Sequence, residues 1–299
     1  MSPLTSLSAP AKVTRMATDL YCIEPIQEVI ETVIFTGCIR NEIPVSIIIV
    51  GPSGVGKSMM LSRYNSEALR HTDSISSQGL YDIAVNDRKQ DVKFLLIPDM
   101  NPTLSRKPAT VQSTIANLLS FTADGTVRID DGRRDKECKH TPVGLITAAT
   151  DDIYSRQAKR WFALGLRRRI VPIFFKYTMT TTRKLQELVR RDKIHSTKPT
   201  PINLKLAIQS RPVISKSMSI LIEGLSQKFS TLLGKLHVHE KEVRKWYVRE
   251  VVPISPQIIL TNLCRAHALR AKRAVAIKDD YDFLCRFLDF CDPEHPREI

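Results

Sequence analysis

Apolar positions along the chain recur with two periods. IEPIQEVIETVIFTG (23–37) carries them at helical spacing, whereas VSIIIVG (45–51) is an unbroken β-branched run, too short for an ordinary helix, that predicts a buried strand. KFLLIPD (93–99), VGLITAAT (143–150) and RIVPIFFKYT (169–178) predict three more buried strands. Helical spacing predicts helices over SMMLSRYNSEAL (58–69), TVQSTIANLLSF (110–121) and RQAKRWFALG (156–165). ADGTVRIDDGRRDKECKH (123–140) alternates around turn residues and predicts a hairpin. Strands alternating with helices predict an α/β fold, a parallel sheet between layers of helices.

The pattern changes near residue 180. TTRKLQELVRRDKI reads as a basic helix, STKPTPINLK as a proline-bearing connector, and two or three helices are expected from there to about residue 250. PISPQ (253–257) opens a last amphipathic helix, and Asp279 and Asp280 precede the helical YDFLCRFLDF. The expected organisation is therefore a polar, partly disordered leader (1–22), a sheet-containing core (23–180), a basic helical linker or insertion (181–252) and a helical C-terminal unit (253–299).

Charge adds a partner class. Lys and Arg number 45 against 31 Asp and Glu, a net charge of +14 that favours polyanions, nucleic acid first. Aromatics are only 6% of the chain, so contact with phosphate backbones is expected rather than base stacking. Arg133, Arg134, Lys136, Arg190, Arg191 and Lys193 are the candidate contacts. The hairpin region 128–139 holds five basic and four acidic residues, which weakens a DNA-reading role there. The six cysteines (22, 38, 138, 264, 285, 291) lack CxxC spacing and are expected to be reduced thiols. No apolar run approaches the ~20 residues of a membrane span, and the first residues lack the apolar stretch of a secretory signal, so a cytoplasmic protein is expected.

GPSGVGKS (51–58) satisfies G-x-x-x-x-G-K-[ST], with a predicted strand before it and a predicted helix after. Glycines let a backbone wrap a polyphosphate so that its N–H groups face the anion. The phosphate-holding set is Gly51, Pro52, Ser53, Gly54, Val55, Gly56, Lys57, Ser58 and Met59. Lys57 is expected to reach the β and γ phosphates and Ser58 to ligate Mg²⁺. The second acidic group is expected from KFLLIPDMN: Asp99 either binds Mg²⁺, leaving the base position to Met100, or is itself the base with Pro98 in the metal slot.

The ordered series from about residue 45 to 180 (phosphate loop, acidic strand, hairpin, polar-ended strand, arginine cluster) resembles the core of an AAA+ ATPase. The segment TIANLLSFTADGTVRIDDGRRDKECKHTPVGLITAAT is similar to the helix, hairpin and sensor 1 strand of the MCM and MoxR-like branch. By that resemblance Thr150 or Asp151 is sensor 1 and orients the lytic water. GLRRRIVPIFF resembles the arginine-finger segment, which puts Arg169, or else Arg168, at a neighbouring subunit's γ phosphate. SPQIILTNLCRAHALRAKRAVAIKDDYDFL is similar to an all-α lid, with Gln257 where an arginine usually forms sensor 2 and Arg265 as a substitute.

The resemblance implies ATP and Mg²⁺ as ligands and a homo-oligomeric ring or filament. It implies action on DNA or on a DNA-bound protein partner, with a MoxR-like protein remodeller and a slowly hydrolysing assembly switch as alternatives. Fewer than 45 residues precede the first core strand, which favours a helicase loader or accessory ATPase of replication or a mobile element over a processive helicase.

Overall fold

A computed structural model describes residues 12–16, 23–87, 91–130, 135–163, 169–190, 201–205, 210–240, 243–248 and 254–299. The first half runs β1 (Lys12–Met16), α1 (Glu24–Thr36), β2 (Ser46–Gly51), α2 (Lys57–Leu61), β3 (Tyr64–Asn65), β4 (Leu69–His71), α3 (Ser77–Asn86), β5 (Phe94–Ile97), α4 (Asn101–Leu104) and α5 (Pro108–Asp124). There follow β6 (Thr126–Asp130), β7 (Asp135–Lys139), β8 (Gly144–Thr150), α6 (Asp151–Ala163), β9 (Ile170–Lys176), α7 (Met179–Arg190) and β10 (Pro201–Lys205). The chain closes with α8 (Lys216–Gly234), β11 (Lys235–Glu240), β12 (Val243–Val248), α9 (Ile254–Arg270), α10 (Lys278–Phe290) and β13 (Arg297–Glu298).

Six strands form one parallel sheet in the order β13–β9–β2–β8–β5–β4. The run SIIIV lies at its centre, between β8 and β9, and successive residues there serve opposite faces. Ile47 and Ile49 pack into a core with α1, α2 and α8 to α10, whereas Ile48 and Val50 pack with α3 and α5. Burial on both faces explains why the strand reads as a continuous apolar run rather than an alternating one.

Because every strand of the sheet runs the same way, Gly51, Ile97, Thr150 and Lys176 all end at one edge, the carboxyl edge. α1 runs back along the sheet. The Thr36 hydroxyl at its end accepts from Val45 N–H (2.9 Å), which ties that end to the start of β2, the amino edge.

Several expected elements differ. The helix over 58–69 shrinks to the five residues of α2, because Tyr64 and Asn65 pair with β1 as β3. The leader supplies a strand, β1, which lies antiparallel between β10 and β3. The expected helical insertion is mixed. KLHVHE and VRKWYV form the β11–β12 hairpin, following their alternating β-branched and aromatic residues, with α7 and α8 as the helices of the region. The hairpin over 123–140 forms as β6 and β7.

The C-terminal helices α8 to α10 share one hydrophobic core with α1, β2 and β9, and β13 extends the sheet beside β9. No disulfide forms among the described cysteines. Among the described residues, no helix is long and apolar enough to cross a membrane.

Candidate functional site

The loop after β2 leaves the carboxyl edge between the ends of β8 and β9. Gly51 is buried in the sheet, and a Cβ there would stand 2.8 Å from the Phe175 carbonyl oxygen of β9, so no side chain fits. Gly54 (φ +82°) and Gly56 (φ +78°) hold left-handed backbone that only glycine adopts cheaply. Gly56 precedes α2, in which Lys57 and Ser58 are the first two residues. With α2 so short, a grip on an anion rests on the loop N–H groups and Lys57 rather than on a long helix dipole. Pro52, Ser53, Gly54 and Ser58 are exposed, and Val55, Gly56 and Met59 are half-buried.

Lys57 is buried, and its Nζ donates to the carbonyls of Gly51 (2.7 Å) and Pro52 (2.6 Å). Burial lowers its pKa, against the opposing pull of the Asp151 and Asp99 carboxylates. Burial in turn raises the Asp151 carboxyl, and Lys57 works against that rise. Lys57 in α2, Asp99 past β5 and Asp151 past β8 thus lie beyond the carboxyl ends of three neighbouring strands, within electrostatic reach of one another. β8 explains the meeting: it pairs with β2 on one side, Thr150 opposite Gly51, and with β5 on the other. The Thr147 hydroxyl adds a bond to the Ile97 carbonyl (2.8 Å) that fixes β5 beside β8.

Asp99 stands just past β5, where its Oδ1 accepts from Asn101 N–H (2.9 Å). Met100 turns away. It is buried in the α3–α5 core and donates its N–H to the Ala148 carbonyl (2.8 Å). The position after Asp99 therefore presents no side chain to the loop. Of the two sensor 1 candidates, Thr150 is the half-buried last residue of β8, and Asp151, at the start of α6, is the one charge-linked to Lys57.

Other expected residues lie elsewhere. Arg169 precedes Ile170, which pairs with Ser46, so it sits at the amino edge, roughly 20 Å from Gly51, where the glycine-rich loop begins, at about 3.3 Å per strand residue. It is exposed, and its Nη1 donates to the Leu119 carbonyl (2.9 Å). Arg265 donates to Glu42 (2.9 Å) at the amino edge, where Asn262 also meets the Ile43 carbonyl (3.4 Å). α9 runs from there toward Glu28 and Glu31 of α1, which Arg270 contacts, so Gln257, near its start, lies at the amino edge. Neither Gln257 nor Arg265 is at this chain's phosphate loop.

Lys136 is exposed on β7, and Arg190 is exposed at the end of α7. Arg133, Arg134, Arg168, Arg191 and Lys193 lie outside the described residues. Tyr177 was not singled out by motif or spacing. Just past β9, its hydroxyl donates to the Val55 carbonyl of the phosphate loop (3.1 Å). The signal available in sequence was only its place near the end of the predicted strand 169–178.

The chain is thus an α/β protein with a six-stranded parallel sheet flanked by helices and a glycine-rich loop at its carboxyl edge. Comparison with protein-family models finds no match, and comparison with curated proteins finds none either.

Proposed function

We propose that this chain is an AAA+ ATPase that binds and hydrolyses ATP with Mg²⁺ in a homo-oligomeric ring or filament, acting on DNA or a DNA-bound partner. One observation carries the reading: the buried Lys57 ammonium at the end of a glycine loop, electrostatically linked to Asp99 and Asp151 on adjacent strand ends. The residues fit the ligand. Gly51 to Met59, Pro52 apart, offer N–H donors, and Lys57 donates to two carbonyls of the loop itself, those of Gly51 and Pro52. Ser58 and Asp99 offer hard oxygen ligands for Mg²⁺, which would neutralise phosphate charge when bound. Thr150 at the end of β8, or Asp151 at the start of α6, is the group expected to orient the attacking water, and the charge link of Asp151 to Lys57 supports the second. The net charge of +14 supports a polyanionic partner met through its backbone.

The test is ATP binding and steady-state hydrolysis, each with and without DNA at moderate salt. Lys57→Ala is expected to weaken ATP binding and lower turnover by at least about tenfold, the scale of one lost charge-assisted contact. A wild type that ignores ATP defeats the reading. A wild type that hydrolyses ATP but neither binds DNA nor responds to it defeats the DNA part alone.

The assembly switch with slow hydrolysis is favoured by one specific observation, the burial of Met100 in the α3–α5 core, which leaves the position after Asp99 without a carboxylate for the attacking water. A particle that grows on adding ATP yet shows no turnover selects that reading.

A further inference from the structure

We infer that Tyr177 is a positioning residue of the phosphate loop: its hydroxyl fixes the Val55–Gly56 peptide so that the Gly56 N–H faces the bound phosphates. The inference rests on the nucleotide-binding reading above.

A trans peptide is planar, and its C=O and N–H point in opposite directions. Whatever holds the Val55 carbonyl therefore sets where the Gly56 N–H points. The holder is the Tyr177 hydroxyl, 3.1 Å away and 122 residues along the chain. The carbonyl it grips belongs to Val55, which lies between Gly54 and Gly56, both left-handed, at the part of the loop with the widest choice of backbone angles. A loop so permissive loses conformational entropy when it closes on an anion, and a bond that already fixes one of its peptides lowers that cost.

The phenol is itself anchored. It follows β9 directly, its ring meets the Phe175 ring edge-on at 5.9 Å, and its side chain packs on the main core, as Val55 does. The neighbouring backbone is tied as well, by Thr178 N–H to the Ile299 carbonyl (3.0 Å) and Ile299 N–H to the Lys176 carbonyl (3.1 Å). A rigid strand end thus holds a flexible loop at its middle. The same β9 presents the Phe175 carbonyl against Gly51, so one strand braces the loop both where it leaves the sheet and at Val55.

The experiment compares wild type, Tyr177→Phe and Lys57→Ala by calorimetric titration with ADP and by ATP hydrolysis. Tyr177→Phe keeps the ring and removes only the hydroxyl. A neutral hydrogen bond of this kind contributes about threefold to tenfold in an equilibrium constant. The expected result is an ADP Kd and an ATP KM raised by about that factor, with kcat within about twofold of wild type and the thermal midpoint of the nucleotide-free protein unchanged. An unchanged ADP Kd overturns the inference. So does a loss of affinity accompanied by an equal fall in kcat and a lowered thermal midpoint, because Tyr177 would then only support the fold. The Lys57→Ala arm separates the two levels. If wild type binds ADP and Lys57→Ala does not, the site stands and the Tyr177→Phe result judges Tyr177 alone. If wild type and Lys57→Ala both fail to bind, the phosphate-loop reading falls and this inference with it.

Discussion

Met100 shows how much one side chain's direction matters. In sequence it follows Asp99 at the end of an apolar strand, where the resemblance places a water-polarising glutamate. In the structure it is 2% exposed and belongs to the core beneath α3 and α5. Met100→Glu therefore does not supply the missing base. It buries an unpaired carboxylate, which is expected to cost about 3 kcal/mol or more of stability. Chemical denaturation should show that loss, and ATP turnover should not rise. A variant as stable as wild type and faster in hydrolysis contradicts the placement. At this scale the legible part of the site was the part written contiguously. Gly51, Gly56, Lys57 and Ser58 follow from spacing, and Asp99 from its place after an apolar run. Tyr177 was not legible because its partner is 122 residues away, and the turning of Met100 was not because periodicity ends where the strand does.

The helices α1, α9 and α10 meet through a chain of charges that no single helix reveals. His267 of α9 bonds Asp280 of α10 through Nδ1 (2.6 Å) and Glu28 of α1 through Nε2 (3.4 Å), and stacks on Phe283 at 4.5 Å. Arg270 and Arg286 also contact Glu28, and Arg273 contacts Asp280. Burial pulls the His267 pKa down, but its bonds to Asp280 and Glu28 outweigh that and hold it above 6.5. The His267 bond is likewise the largest influence on Glu28, overcoming burial with the help of Arg286 to bring it from 4.5 to about 2. Burial would raise Asp280, yet His267, Ile277 N–H and Arg273 keep it low.

The signs give a window. A raised histidine stabilises fully below its unfolded value of 6.5 and stops doing so as pH rises through its folded value. A lowered carboxylate stabilises above its unfolded value of 4.5 and stops as pH falls toward about 2. The junction is thus strongest between about pH 5 and 6. The thermal midpoint is expected to fall from pH 6 to pH 9, and His267→Gln should flatten that limb. A profile of equal slope in wild type and His267→Gln rejects the assignment. At this scale the strands of the sheet were legible because continuous apolar runs mark two-sided burial. α2, β1 and β3 were not, because their form depends on pairing with residues distant in sequence.

Across the whole molecule, the fold class was legible from strands alternating with helices, but the strand order was not, since periodicity does not say which strand neighbours which. The parallel run of β2 and β9, rather than the order, sets Arg169 and the glycine-rich loop at opposite edges of the sheet. An arginine so placed is remote from its own chain's loop, and in the assembly proposed above its role is at the next subunit's loop. Arg169→Ala is expected to lower turnover at least about tenfold while leaving ATP affinity intact. Mixing Arg169→Ala with Lys57→Ala should restore part of the activity, because a mixed interface can join an intact loop to an intact arginine. Mixed samples with no more activity than the two variants apart, or a fall in ATP affinity in Arg169→Ala, reject action across an interface.

The central position of β2 also has a consequence for the order of events during synthesis. Its first residue, Ser46, accepts from Leu145 N–H across 99 intervening sequence steps, and its other neighbour, β9, comes later still. At about 5–20 residues per second, SIIIV waits roughly 5–20 s after emerging before either flanking strand exists. Throughout that time a β-branched, wholly apolar segment has no strand to pair with, so faster translation or a bound chaperone would shorten or cover its exposure.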